Sequence, residues 1–132
     1  MRASVLLAIM IFCLNIFGGI ADAADIENGK IVFKRCVACH NADKPDNKIG
    51  PTLQHIIGRQ AGSLEGYRFS PAMVNAGKEG LLWNRDTLIN YLHSPQTMVK
   101  GTRMASIRLT NENDIDDLIA YLNSVSSSGN EQ

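Results

Sequence analysis

Two cysteines separated by two residues and followed at once by a histidine, Cys36-Val37-Ala38-Cys39-His40, carry the clearest chemistry in this sequence. C-x-x-C-H is the pattern by which a haem is held covalently. Cysteines three apart lie on one face of a helical turn, so both thiols can add to the two vinyl groups along one porphyrin edge. The adjacent histidine then lies beneath the ring, where its imidazole is a good iron ligand. A thioredoxin-like redox pair would want a βαβ context, and a zinc site would want two further Cys or His ligands at short spacing. Neither is present, because the other histidines, His55 and His93, lie far apart. The motif is therefore read as an attachment point for one haem c.

The N-terminus explains how such a motif comes to be in an oxidising compartment. Arg2 gives a short positive region, Val5 to Phe17 is nearly unbroken apolar sequence, and Ala21-Asp22-Ala23 is an A-x-A cleavage site. Residues 1–23 are thus expected to be a secretory signal, removed after Ala23 together with Cys13. The alternative, a membrane-anchored form, would ask this short run to cross about 30 Å of hydrocarbon with no basic stop-transfer cluster behind it. The export reading places the protein in the periplasm. Residues 24–132 fit one domain and not two. Thirteen Lys and Arg balance thirteen Asp and Glu, which argues against a nucleic-acid binder that neutralises many phosphates.

The elements that must position the motif read as all-α. Ile26 to Val37 has an apolar stripe at helical period that runs into Cys36. Residues 41–66, rich in Gly and Pro, read as a loop wrapped around the haem edge. Ser70 and Pro71 open a short helix that stops near Gly77, and Asn84 to His93 form another, with Trp83 at its entrance. A second loop covers 94–109 and holds Met98 and Met104. A last amphipathic helix begins at Thr110 or Asn111 with Ile115, Leu118, Ile119 and Leu122 on its face, and the Ser-rich tail from about 124 is expected to fray. No strands or repeats are legible. A chain this short has little apolar core of its own, so the haem is expected to serve as its centre and the apoprotein to be poorly folded.

Cys36 to His40, Gly50-Pro51-x-Leu53, Gly58-Arg59, Trp83, Tyr91-Leu92, Lys100-Gly101-Thr102-x-Met104 and Asp117 to Leu122 occur in the order found in one family. From about Asp25 to Ser124 the sequence resembles the small soluble class I cytochromes c, most of all the bacterial relatives of the mitochondrial carrier. The resemblance implies that fold: short helices and long loops around a covalent haem. It implies that Gly29 and Phe33 meet Leu118 and Tyr121 at a close helix crossing, and that the Pro51 carbonyl accepts from His40 and fixes its tautomer. Arg59, Trp83 and Thr102 match positions at the haem propionates, Tyr91 one whose hydroxyl lies near the axial sulfur, and Met104 the sixth iron ligand, with Met98 the competing thioether. Two departures stand out. Phe69 falls where the family has a propionate-bonding tyrosine, and Ser106 where a phenylalanine packs over the haem edge.

A His/Met iron has no open coordination position, so the resemblance implies single-electron transfer and no bond chemistry. It implies a soluble periplasmic carrier, not an enzyme, working as a monomer between a quinol-oxidising bc-type complex or a dehydrogenase and a terminal oxidase or photosynthetic reaction centre. Twelve basic against five acidic residues lie between Lys30 and Arg108, while the other acids of the exported chain lie at its two ends, a dipolar arrangement. Lys34, Lys48, Lys100 and Arg103 would steer acidic partners to the haem edge. The alternative function is a haem sensor or peroxidase-like protein with a labile sixth ligand, or a donor committed to one redox enzyme.

Overall fold

Asp25 caps the first helix, its carboxylate accepting from the amides of Glu27 and Asn28, and the computed structural model, which describes residues 23–105 and 107–128, starts from there. Residues 1–22 of the predicted secretory segment, Ser106 and residues 129–132 lie outside the described residues. No helix among the described residues is long and apolar enough to cross a membrane. Helix α1 spans Ile26–Phe33, α2 Pro71–Lys78, α3 Arg85–His93, α4 Pro95–Met98 and α5 Glu112–Ser128.

Helix α1 ends four residues earlier than its periodicity predicts. Beyond Phe33 the chain tightens: Lys34, Arg35 and Cys36 donate to the carbonyls three residues back, at 3.1, 3.1 and 2.7 Å. Cys39 repeats this toward Cys36 at 3.0 Å. In such winding, side chains three apart eclipse, so the tighter turn aligns the two cysteines better than a regular α-helix would.

The α1–α5 crossing organises the rest. A Cβ on Gly29 would strike the backbone carbonyl of Asp117 and sit 2.8 Å from the Cβ of Tyr121, so the helices touch backbone to backbone. Phe33 packs on Tyr121 with ring centroids 5.5 Å apart. Asn28 Nδ2 donates to Asp117 at 2.7 Å, and the Asp25 amide donates to the same carboxylate at 2.6 Å. Gly29→Ala must push the two helices apart. It is expected to cost about 2–3 kcal/mol, lowering Tm by roughly 10 °C or more. An unchanged Tm in thermal unfolding would mean that the crossing is looser than drawn here.

Ser70 Oγ accepts from the Met73 amide at 3.1 Å and Pro71 occupies the first turn, as expected of that cap. Asn84 and Thr87 form a reciprocal box at the start of α3. Arg85 of α3 reaches Asp116 of α5 at 2.6 and 2.9 Å.

Three further features depart from the sequence reading. The expected loop 94–109 contains α4, a single turn opened by Pro95, too short to leave a period in sequence. Gln60 and Leu82 form an isolated antiparallel bridge, flanked by Ala61 N–H to Leu81 at 2.9 Å and Trp83 N–H to Arg59 at 2.9 Å. The tail does not fray at 124. Helix α5 runs to Ser128 because Ser126 is buried, and its hydroxyl accepts the His55 amide at 2.9 Å while donating to Leu122 at 2.8 Å.

Candidate haem site

A cavity of about 400 Å³ opens between the Cys36–His40 turn, the long loop, α2, α3, the segment after α4 and α5. Cys36, Cys39, His40, Pro51, Arg59, Trp83, Tyr91, Thr102 and Met104, the nine residues singled out in the sequence, all line it. Met98 does not. It sits in a separate shallow groove with Ile89, His93 and Thr97. His55 also lies off the cavity, so His40 is its one imidazole among the described residues.

The environment of His40 fixes its chemistry. Its Nδ1 donates to the Pro51 carbonyl at 2.7 Å, an atom that can only accept, so Nε2 keeps its lone pair. Burial, the largest influence, pulls the imidazole below its usual pKa against the opposing pull of the Pro51 carbonyl, and the charge of Lys48 pulls the same way as burial. Neutral imidazole is the metal-binding form. Gly50 lies flat against this ring, and its amide donates to Cys39 at 2.8 Å.

Cys36 and Cys39 form no disulfide with each other, which leaves both sulfurs available to a haem. Burial raises the pKa of Cys36 against the opposing charge of the nearby Arg35. Met104 is half-buried in the loop after α4. The Thr102 hydroxyl, expected at a propionate, pairs with the Tyr91 hydroxyl at 2.7 Å, and the Met104 amide reaches it at 3.4 Å. Burial raises the Tyr91 pKa and the Thr102 bond opposes it. The rings of Trp83 and Tyr91 pack tilted at 58° with centroids 4.9 Å apart.

Arg59 is half-buried and donates to the Thr52 carbonyl at 2.9 Å. Burial lowers its pKa, yet a guanidinium stays charged at any physiological pH. Arg68 and Arg103 also line the cavity, and no acidic residue does among those described. A cationic, otherwise apolar cavity suits a flat hydrophobic group bearing carboxylates. Phe69 lines the wall where the resemblance implies a hydroxyl, edge-on to Tyr67 at 4.7 Å. Tyr67 donates instead to the Ile49 carbonyl at 2.7 Å.

Sequence reasoning missed Met73, a second thioether on the cavity wall, buried at 7% exposure. Its place three residues after the Ser70 cap and four before buried Gly77 puts it on the inward face of α2, the signal that could have found it. Leu118, Ile119 and Leu122, on the apolar face of α5, also line the cavity.

The family model for cytochrome c matches residues 26–126. The chain belongs to the cytochrome c family. It is similar to a cytochrome c2 of Rhodopseudomonas palustris, 38% identical over 117 residues that cover 79% of this chain and 83% of the relative. It is 46% identical to a cytochrome c of Gibberella zeae over 100 residues, 74% of this chain and 92% of that one. Among solved structures, cytochrome cH from Methylobacterium extorquens superposes with a TM-score of 0.67 at 39% identity, covering 76% of this chain and 98% of that one. As a cytochrome c, the chain carries covalent haem c, and its fold is the class I fold. The cavity fits that group: thiols at its edge, a lone pair on a buried imidazole, a thioether, and arginines without acids.

Proposed function

We propose that this cytochrome c is a periplasmic one-electron carrier whose haem is bonded through Cys36 and Cys39 and whose iron lies between His40 Nε2 and Met104 Sδ. The observation that carries this reading is the donor set of the cavity: two thiols, one oriented imidazole and the thioethers of Met104 and Met73, with no acid and no second imidazole among the described residues. Bound haem supplies a ferric/ferrous couple, and thioether ligation raises its potential.

The protein's own residues account for the rest. Pro51 holds His40 in one tautomer, while Tyr91 and Thr102 brace the segment leading to Met104. Arg59 lies ready to neutralise a propionate. Among the described residues no carboxylate or free imidazole faces the cavity, which supplies no positioned acid or base of the kind a peroxidase-like enzyme needs. Carriage of electrons is therefore the favoured function, and sensing or peroxide chemistry is not.

Docking follows from the rim. Lys34, Lys48, Lys100 and Arg103 are exposed, and Ile49, 80% exposed, adds an apolar contact at the cavity mouth. Asn28 gathers Asp114 and Asp117 of α5 beside the N-terminus of α1, so acids from both ends of the chain meet in one region. The resulting dipole would orient the carrier toward acidic faces of a bc-type complex or dehydrogenase on one side, and of a terminal oxidase or reaction centre on the other. Lys34→Glu or Lys100→Glu is expected to slow oxidation by such a partner several-fold at low ionic strength and to flatten its salt dependence. Stopped-flow rates across a salt series check this. Rates and slopes equal to the unaltered protein's would rule out the proposed docking face.

A further inference from the structure

The segment from Val99 to Met104 belongs to no helix, so a few individual bonds must hold it. Thr102 is gripped at three atoms. Its amide donates to the Val99 carbonyl at 2.9 Å, its hydroxyl meets Tyr91 of α3, and its carbonyl accepts from Gln96 Nε2 of α4 at 2.7 Å. The same Gln96 side chain accepts from the Gly101 amide through Oε1, at a longer 3.4 Å. One amide group therefore spans Gly101 and Thr102, fastening the loop just before Met104. Only a neutral amide can do this, because a carboxylate cannot donate and an ammonium cannot accept. Gly101 has φ +96°, a conformation that glycine adopts without the steric cost of a side chain, so the loop can bend beneath the clamp.

Gln96 is exposed and does not line the cavity, so its amide touches the site only through the loop. We propose that Gln96 is a positioning residue for the sixth iron ligand: an amide latch that sets how readily Met104 leaves the iron. The latch rests on the reading that Met104 is that ligand. An external ligand binds only the state in which the loop has opened, so its apparent affinity scales with the open fraction. Loss of a hydrogen bond made only in the closed state raises that fraction.

The test is imidazole titration of the ferric holoprotein, followed by its absorption spectrum, in four proteins: unaltered, Gln96→Ala, Met104→Ala, and the double variant. Gln96→Ala is expected to raise the apparent imidazole affinity roughly three- to ten-fold, the scale of one net hydrogen bond. In the Met104→Ala background, where no ligand remains to be held, the same substitution is expected to change nothing. Gln96→Glu, which keeps the acceptor and loses the stronger donor bond, should behave like Gln96→Ala. An unchanged affinity in Gln96→Ala, or an equal change in both backgrounds, overturns the latch while leaving Met104 as the ligand. If Met104→Ala itself leaves imidazole affinity and spectrum as they were, the ligand assignment fails, and the latch with it.

Discussion

Met104→Ala is expected to abolish the sulfur-to-iron absorption band, open the iron to carbon monoxide and lower the reduction potential. An alanine methyl cannot donate to iron, so the sixth position passes to water or to an added ligand. The fall in potential is expected to be a sizeable fraction of the roughly 0.8 V over which axial ligands tune haem. The structure sharpens this test by presenting Met73 as a second cavity thioether. Met73 is fixed in the first turn of α2, its amide bonded to Ser70, and that helix is pressed against the Ala61 carbonyl at Gly77. Met104 lies on a segment that belongs to no helix, which can adjust to a bond. Met73→Leu and Met98→Leu should therefore keep the band, the potential and the closed iron. A band that survives in Met104→Ala and vanishes in Met73→Leu would reassign the ligand.

Gly50→Ala is expected to remove most of the assembled holoprotein. A Cβ at this position would lie 2.6 Å from Nδ1 and 2.8 Å from Nε2 of His40, and closer still to Cε1. The ring cannot yield without giving up its Nδ1 bond to Pro51. The backbone cannot yield easily either, since Gly50 donates to Cys39 at 2.8 Å and accepts from Lys48 at 2.9 Å. Overpacking of this kind typically costs about 1–3 kcal/mol. Here the displaced group is also the proposed iron ligand, so the loss is expected to fall on haem loading as well as on Tm. Haem content per polypeptide and the spectrum of the purified variant measure it. Full loading with an unaltered low-spin spectrum would contradict the packing of Gly50 on His40.

Local chemistry was the most legible part of the sequence. Cys36, Cys39 and His40 are contiguous, and their turn needs only backbone bonds to form. Ser70, Asn84 and the apolar stripe of α5 were likewise readable, because caps and periodicity act within a few residues. Met104 could not be told from Met98 by residue type, and its choice rested on the resemblance. The fold now separates them, since α4 turns Met98 into another groove. What stayed hidden depends on distant partners. The early end of α1, the Gln60–Leu82 bridge and the ordered α5 tail are each set by tertiary contacts, such as the His55 amide on Ser126, that no local window contains. Gln96 reads as an ordinary surface residue until the loop folds beneath it.

The most direct test of the central claim is the optical spectrum of the periplasmically purified protein, oxidised and reduced, with and without carbon monoxide. A low-spin c-type spectrum with the methionine charge-transfer band, unshifted by carbon monoxide, is the predicted result for iron closed by His40 and Met104. A high-spin spectrum, or prompt carbon monoxide binding, would contradict it and make an open-site sensor or enzyme the better account.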